Sequence, residues 1–81
     1  IANNGDTFAY ALDHYMPKVS QNGVCVLEGG SIERDNVDWM IKYNKPKIRP
    51  VIEDEKYKHY NILVLEDYPS ITLITHKKEK K

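Results

Sequence analysis

Three features of the 81-residue sequence predict an α/β domain in the order helix, strand, helix, strand, strand. The first is the run Gly23-Val24-Cys25-Val26-Leu27-Glu28-Gly29-Gly30-Ser31, where four apolar residues end in an acid and two glycines. Such a run reads as a strand buried on both faces, as in a parallel sheet. The second is the recurrence of apolar residues at three- and four-residue intervals on either side of that run, the period of an amphipathic helix. The third is a pair of β-rich segments, Tyr60 to Leu65 and Ile71 to Thr75, joined by the five-residue link Glu66-Asp67-Tyr68-Pro69-Ser70. That link is too short for a parallel crossover and implies an antiparallel hairpin.

In chain order, Asp6 or Thr7 can cap the first helix after the turn-prone Asn3-Asn4-Gly5. Phe8, Leu12, Tyr15, Met16 and Val19 give it one apolar face, with Tyr10, Asp13 and His14 outside. Pro17 ends or kinks it near Met16. After the Val24 to Leu27 strand, Ser31 caps a second helix from about Glu33 to Tyr43, with Val37, Met40 and Ile41 inward, Trp39 on a flank and Arg34, Asp38 and Lys42 as a solvated outer row. Asn44-Lys45-Pro46 stops it, Pro46 and Pro50 keep the next segment extended or turning, and Glu53 to Lys58 reads as a charged connector. A right-handed helical crossover makes the first two strands parallel, and the hairpin makes the third an antiparallel neighbour of the second. The expected sheet is three-stranded and mixed.

Composition narrows the function. One small domain of this length, residues 1–76 with a basic tail at 77–81, buries only about 60–65% of its unfolded surface. Twelve basic and twelve acidic residues cancel, so no global field favours nucleic acid or an anionic membrane. The tail Lys77-Lys78-Glu79-Lys80-Lys81 reads as solvated, and the six tyrosines are not interleaved with basic residues. Cys25 is the only cysteine, which excludes an intramolecular disulfide and is compatible with a reducing cytoplasm. No apolar run approaches a membrane span. The chain opens at Ile1 as though in mid-strand, as a fragment or processed chain would.

The order of elements resembles the carboxyl-terminal half of the class I S-adenosylmethionine-dependent methyltransferase fold, a partial Rossmann-like arrangement. Met16-Pro17-Lys18-Val19-Ser20-Gln21-Asn22-Gly23-Val24 resembles the entry to that fold's fifth strand, and Glu28-Gly29-Gly30-Ser31-Ile32-Glu33-Arg34-Asp35-Asn36-Val37-Asp38-Trp39-Met40 resembles a segment of bacterial saccharide-modifying members related to macrocin O-methyltransferase. The hairpin corresponds to strands six and seven, and the resemblance implies that the latter, here Ile71 to Thr75, lies antiparallel between the other two strands. The resemblance implies that an intact parent methylates a hydroxyl of a saccharide or small molecule with S-adenosylmethionine. The cofactor's glycine-rich loop and ribose-binding acid belong to upstream strands of that fold. Gly5, Gly23, Gly29 and Gly30 contain no G-x-G spacing.

Glu28 is the leading catalytic candidate, because ligands gather at the carboxyl ends of strands in open α/β sheets. The resemblance also implies a divalent metal such as Mg2+, or a carboxylate pair, at this strand end, with Glu28 as a ligand although Gly29 stands at the second acid position. Without a site, Glu28 accepts hydrogen bonds from amides at the next helix's start. Asn3, Asn4 and Ser31 are the substrate-binding candidates by the same analogy, and turn or cap roles explain them equally. His14, His59 and His76 lack ligand spacing, and Ser70 and Glu66-Asp67 read as turn formers. A non-catalytic α/β interaction module is the alternative, and under either reading an exposed sheet edge invites homodimerisation.

Overall fold

The computed structural model describes residues 3–67 and 69–77. The expectations for Ile1 and for the tail beyond Lys77 lie outside the described residues. The chain forms a small α/β domain with a three-stranded antiparallel sheet and a few short helices: α1 (Gly5–Tyr10), β1 (Val24–Glu28), α2 (Ile32–Asp35), α3 (Asp38–Lys42), α4 (Arg49–Ile52), β2 (Tyr60–Leu65) and β3 (Ile71–His76). No helix among the described residues is long and apolar enough to cross a membrane.

The strand order is β1-β3-β2, with β3 antiparallel to both neighbours, to β2 as the short link requires. The expected mixed sheet is corrected on this point. β1 and β2 run the same way, but β3 separates them, so no parallel ladder forms.

Asn4, rather than Asp6 or Thr7, caps α1. Its side chain accepts from the Asp6 amide at 2.8 Å, while the Thr7 hydroxyl accepts from the Asn4 amide at 2.8 Å. The helix then widens to a π segment over Ala11–Tyr15 and tightens to a 3-10 turn over Met16–Lys18. Pro17 has no amide hydrogen and its ring crowds the preceding turn, which explains a loosened ladder just before it. Phe8, Ala11, Leu12 and Met16 are buried, whereas Tyr15, expected inside, is exposed and meets Tyr10 edge-on.

The expected second helix is two. Asn36 donates from its side chain to the Ile32 carbonyl at 2.9 Å, and Val37 is extended, so helical bonding stops between α2 and α3. Met40 is buried as expected, but Ile41 is exposed. Pro50 sits in the first turn of α4, where a missing amide hydrogen costs nothing. Tyr57, read as part of a charged connector, joins Leu12, Met16, Tyr60 and Ile74 in the core.

All of this core lies on one side of the sheet. Cys25, Leu27 and Ile62 face it, and β1 is therefore not buried on both faces: Val24 and Val26 are 52% and 57% exposed. The other face carries three cross-strand rows, Val24 with Thr75 and Asn61, Val26 with Leu73 and Leu63, and Glu28 with Ile71 and Leu65. Leu63 and Leu65 are 57% and 47% exposed, because no element among the described residues covers this face.

Candidate functional site

β1 ends at Glu28, and the chain turns sharply through Gly29 and Gly30, whose φ values of 103° and 113° are strained for any residue with a Cβ. The turn is pinned to the start of β3: the Gly29 amide donates to the Ser70 carbonyl at 2.8 Å, and the Thr72 hydroxyl donates to the Gly29 carbonyl at 2.7 Å. Ser31 then caps α2, its hydroxyl accepting from the Arg34 amide at 3.1 Å.

Arg34 is the third residue of this one-turn helix. Helical side chains lean toward the N-terminus, so its guanidinium returns over the double glycine to the strand end. There it forks onto Glu28, Nε to Oε2 at 2.7 Å and Nη2 to Oε1 at 3.1 Å. Nη2 also donates to the Asn3 carbonyl at 2.8 Å, and the Asn3 side-chain amide donates to the Glu28 carbonyl at 2.9 Å. Trp39 lies under the guanidinium, 5.0 Å from carbon to ring centroid.

The arginine side chain is 11% exposed and the glutamate 43%, so the pair is buried on the arginine side and wet on the carboxylate side. It borders a cavity of about 210 Å³ lined also by Ser31, Glu66 and Ser70, and a shallower depression of about 480 Å³ that Trp39 and Pro69 share. Nη1 of Arg34 and the Ser70 hydroxyl are buried with no partner among the described residues. A carboxylate acceptor beside a guanidinium donor is the arrangement that a hydroxyl, donor and acceptor at once, satisfies from both sides.

The structure thus brings Glu28, Asn3 and Ser31 together and leaves Asn4 to its cap. Ser31 is 5% exposed and spends its oxygen on the helix. Arg34 was expected on a solvated row, Trp39 on a helix flank and Ser70 in a turn, and none of the three was expected at this site. An arginine three residues after a capping serine is the signal that could have found the first. Asp35, 3% exposed, is also taken up structurally, its two oxygens accepting from the Ile48 and Arg49 amides at 2.7 and 2.9 Å.

The residues present do not fit the cofactors that the methyltransferase likeness implies. No group of three or more His, Cys, Asp or Glu among the described residues could hold a metal ion, and both oxygens of Glu28 are engaged by Arg34. The Gly29-Gly30 turn does not open as a cradle for a nucleoside, because Cβ atoms there would strike Ile48 and the Thr72 hydroxyl of the same chain.

The histidines stay apart. His14 is exposed against Tyr10, His59 packs on Tyr60, and His76 donates through Nε2 to the Val19 carbonyl at 2.9 Å. Burial pushes the Cys25 thiol above its ordinary value, which weakens it as a nucleophile. Comparison with known protein families, with curated proteins and with solved structures finds no match.

Proposed function

We propose that this chain is the carboxyl-terminal part of a Rossmann-like, S-adenosylmethionine-dependent O-methyltransferase that modifies a hydroxyl of a saccharide or small molecule in the cytoplasm. The observation that carries the reading is Glu28, placed at the carboxyl end of β1 and held by the Arg34 fork beside an open cavity. The pair binds and orients the acceptor hydroxyl, with Trp39 as an apolar wall for a sugar ring. The β1-β3-β2 order, with the hairpin strand central, supports the likeness. The cofactor is held by elements outside these 81 residues, and no step is derived through it or through a metal. Nucleic acid and membrane are not partners under this reading.

The test has two arms. Calorimetric titration of the isolated chain with S-adenosylmethionine gives no binding near micromolar, worth about 8 kcal/mol. The protein purified from its native source transfers an isotopically labelled methyl group to a saccharide hydroxyl. Micromolar binding by the isolated chain, or no transfer by the native protein to any of a panel of saccharides and small alcohols, contradicts the proposal.

The second reading, a non-catalytic interaction module, is favoured by one observation, the uncovered apolar face of the sheet. It expects no transfer in the second arm.

A further inference from the structure

We propose that the cavity beside Glu28 and Arg34 selects an amine-bearing acceptor, a saccharide ring that carries an ammonium group as well as hydroxyls. The inference rests on the reading of that pair as the acceptor-binding site, and it names the class of acceptor.

The first observation is charge. Three carboxylates, Glu28, Glu33 and Glu66, and one guanidinium, Arg34, line the cavity. Arg34 neutralises Glu28. Glu33 is exposed and has no ion pair among the described residues. Glu66 meets Arg49 at 3.9 Å, but Arg49 is held more closely by Glu53, at 3.2 Å. Two acids at the cavity wall are therefore left without a close cation, and a cleft lined by one sign of charge concentrates ligands of the other.

The second observation is independent of charge. Ser70 lines the same cavity and is 3% exposed, and its hydroxyl has no partner among the described residues. Nη1 of Arg34 is also buried and unpartnered among them. Buried polar groups are nearly always hydrogen-bonded, so orphans on a cavity wall call for a ligand. A guanidinium only donates and a hydroxyl does both, so that ligand must present oxygen acceptors besides its cation.

Two facts narrow the cation. The carboxylates do not converge, since no group of three or more among the described residues could hold a metal ion. Spread charges suit an organic ligand whose ammonium and hydroxyls stand on different carbons. The cavity of about 210 Å³ also lies below the range of about 300–1,000 Å³ that drug-sized ligands occupy, which fits a single ring. An amino sugar meets both demands, its hydroxyl between Glu28 and Arg34 and its ammonium toward Glu33 and Glu66. Val37 and Pro69 supply apolar wall for the ring carbons.

NMR titration of the isotopically labelled 81-residue chain with methyl glucosaminide, its N-acetylated form and methyl glucoside tests this without calling on methyl transfer. The amine is expected to shift the Ser31, Arg34 and Ser70 amides, in the millimolar range that befits so small a ligand. It binds about two- to fivefold more tightly than either neutral sugar, the factor that partly exposed ion pairs give. Salt at about 1 M, where the screening length is about 3 Å, removes the preference. Replacing both acids together, Glu33→Gln with Glu66→Gln, removes it as well, and both side chains are exposed, so the fold is kept. Equal binding of the three sugars, no binding of the amine, or a preference that survives the double substitution overturns the inference. Its failure is separable from that of the methyltransferase reading. A native protein that methylates neutral saccharides as readily as amino sugars keeps that reading and overturns the inference, whereas amine-selective binding without any transfer supports the amine site and contradicts the transferase.

Discussion

Glu28 and Arg34 divide between them what a sequence shows and what it conceals. Glu28 was legible because an acid that interrupts an apolar run must stand at a strand end. Arg34 was not, because helical periodicity places it on an outer row only if the helix continues, and α2 is one turn long. In the native protein, Glu28→Gln keeps the shape and removes the charge, and turnover is expected to fall about 10²-fold, near 3 kcal/mol, with folding retained. A lower melting temperature with unchanged turnover would instead make the pair a structural clasp. Tyr57 is a second residue whose role lies in its contacts. Its hydroxyl donates to Asp13 at 2.9 Å, and burial, then that hydrogen bond, raise its pKa above 10.0. A raised folded-state pKa means stability present below the unfolded value and lost as pH rises through the folded one. Tyr57→Phe should cost about 1 kcal/mol at pH 7 and lose less stability than the wild type as the pH is raised above the ordinary tyrosine range, as urea denaturation at each pH will report. Parallel curves would show that the hydroxyl carries no linkage.

At the scale of elements, the strands were readable almost to the residue because runs of apolar and β-branched residues and the hairpin link act locally. The helices were not, for reasons that are tertiary. The 33–43 helix breaks at Asn36-Val37, just after Asp35, whose carboxylate binds the two amides at the start of α4, and Tyr57 enters the core from a stretch whose charges suggested a connector. The Asp35 carboxylate fixes where α4 begins relative to α2. Asp35→Ala strands two buried or half-buried amides and should destabilise the fold by about 2–4 kcal/mol, with faster hydrogen exchange at Ile48 and Arg49. A loss below 0.5 kcal/mol would mean that the proline-bearing segment positions itself.

For the whole molecule, strand directions followed from two rules, the short link and the crossover hand, while the central place of β3, which the sheet shows, was expected from the methyltransferase resemblance. The one-sided core did not follow, because a run of apolar residues cannot tell a face covered by its own chain from one left bare. Helices on one side and Val24, Val26, Leu63 and Leu65 on the other give the domain half of a layered architecture, consistent with the proposal that it completes a larger one. Whether more polypeptide exists is the claim on which the methyltransferase account rests, and intact-mass spectrometry of the protein from its native source tests it most directly. The account predicts a mass larger than that of these 81 residues by about 100–150 residues, the remainder of a typical single domain. A native mass equal to that of 81 residues would contradict it.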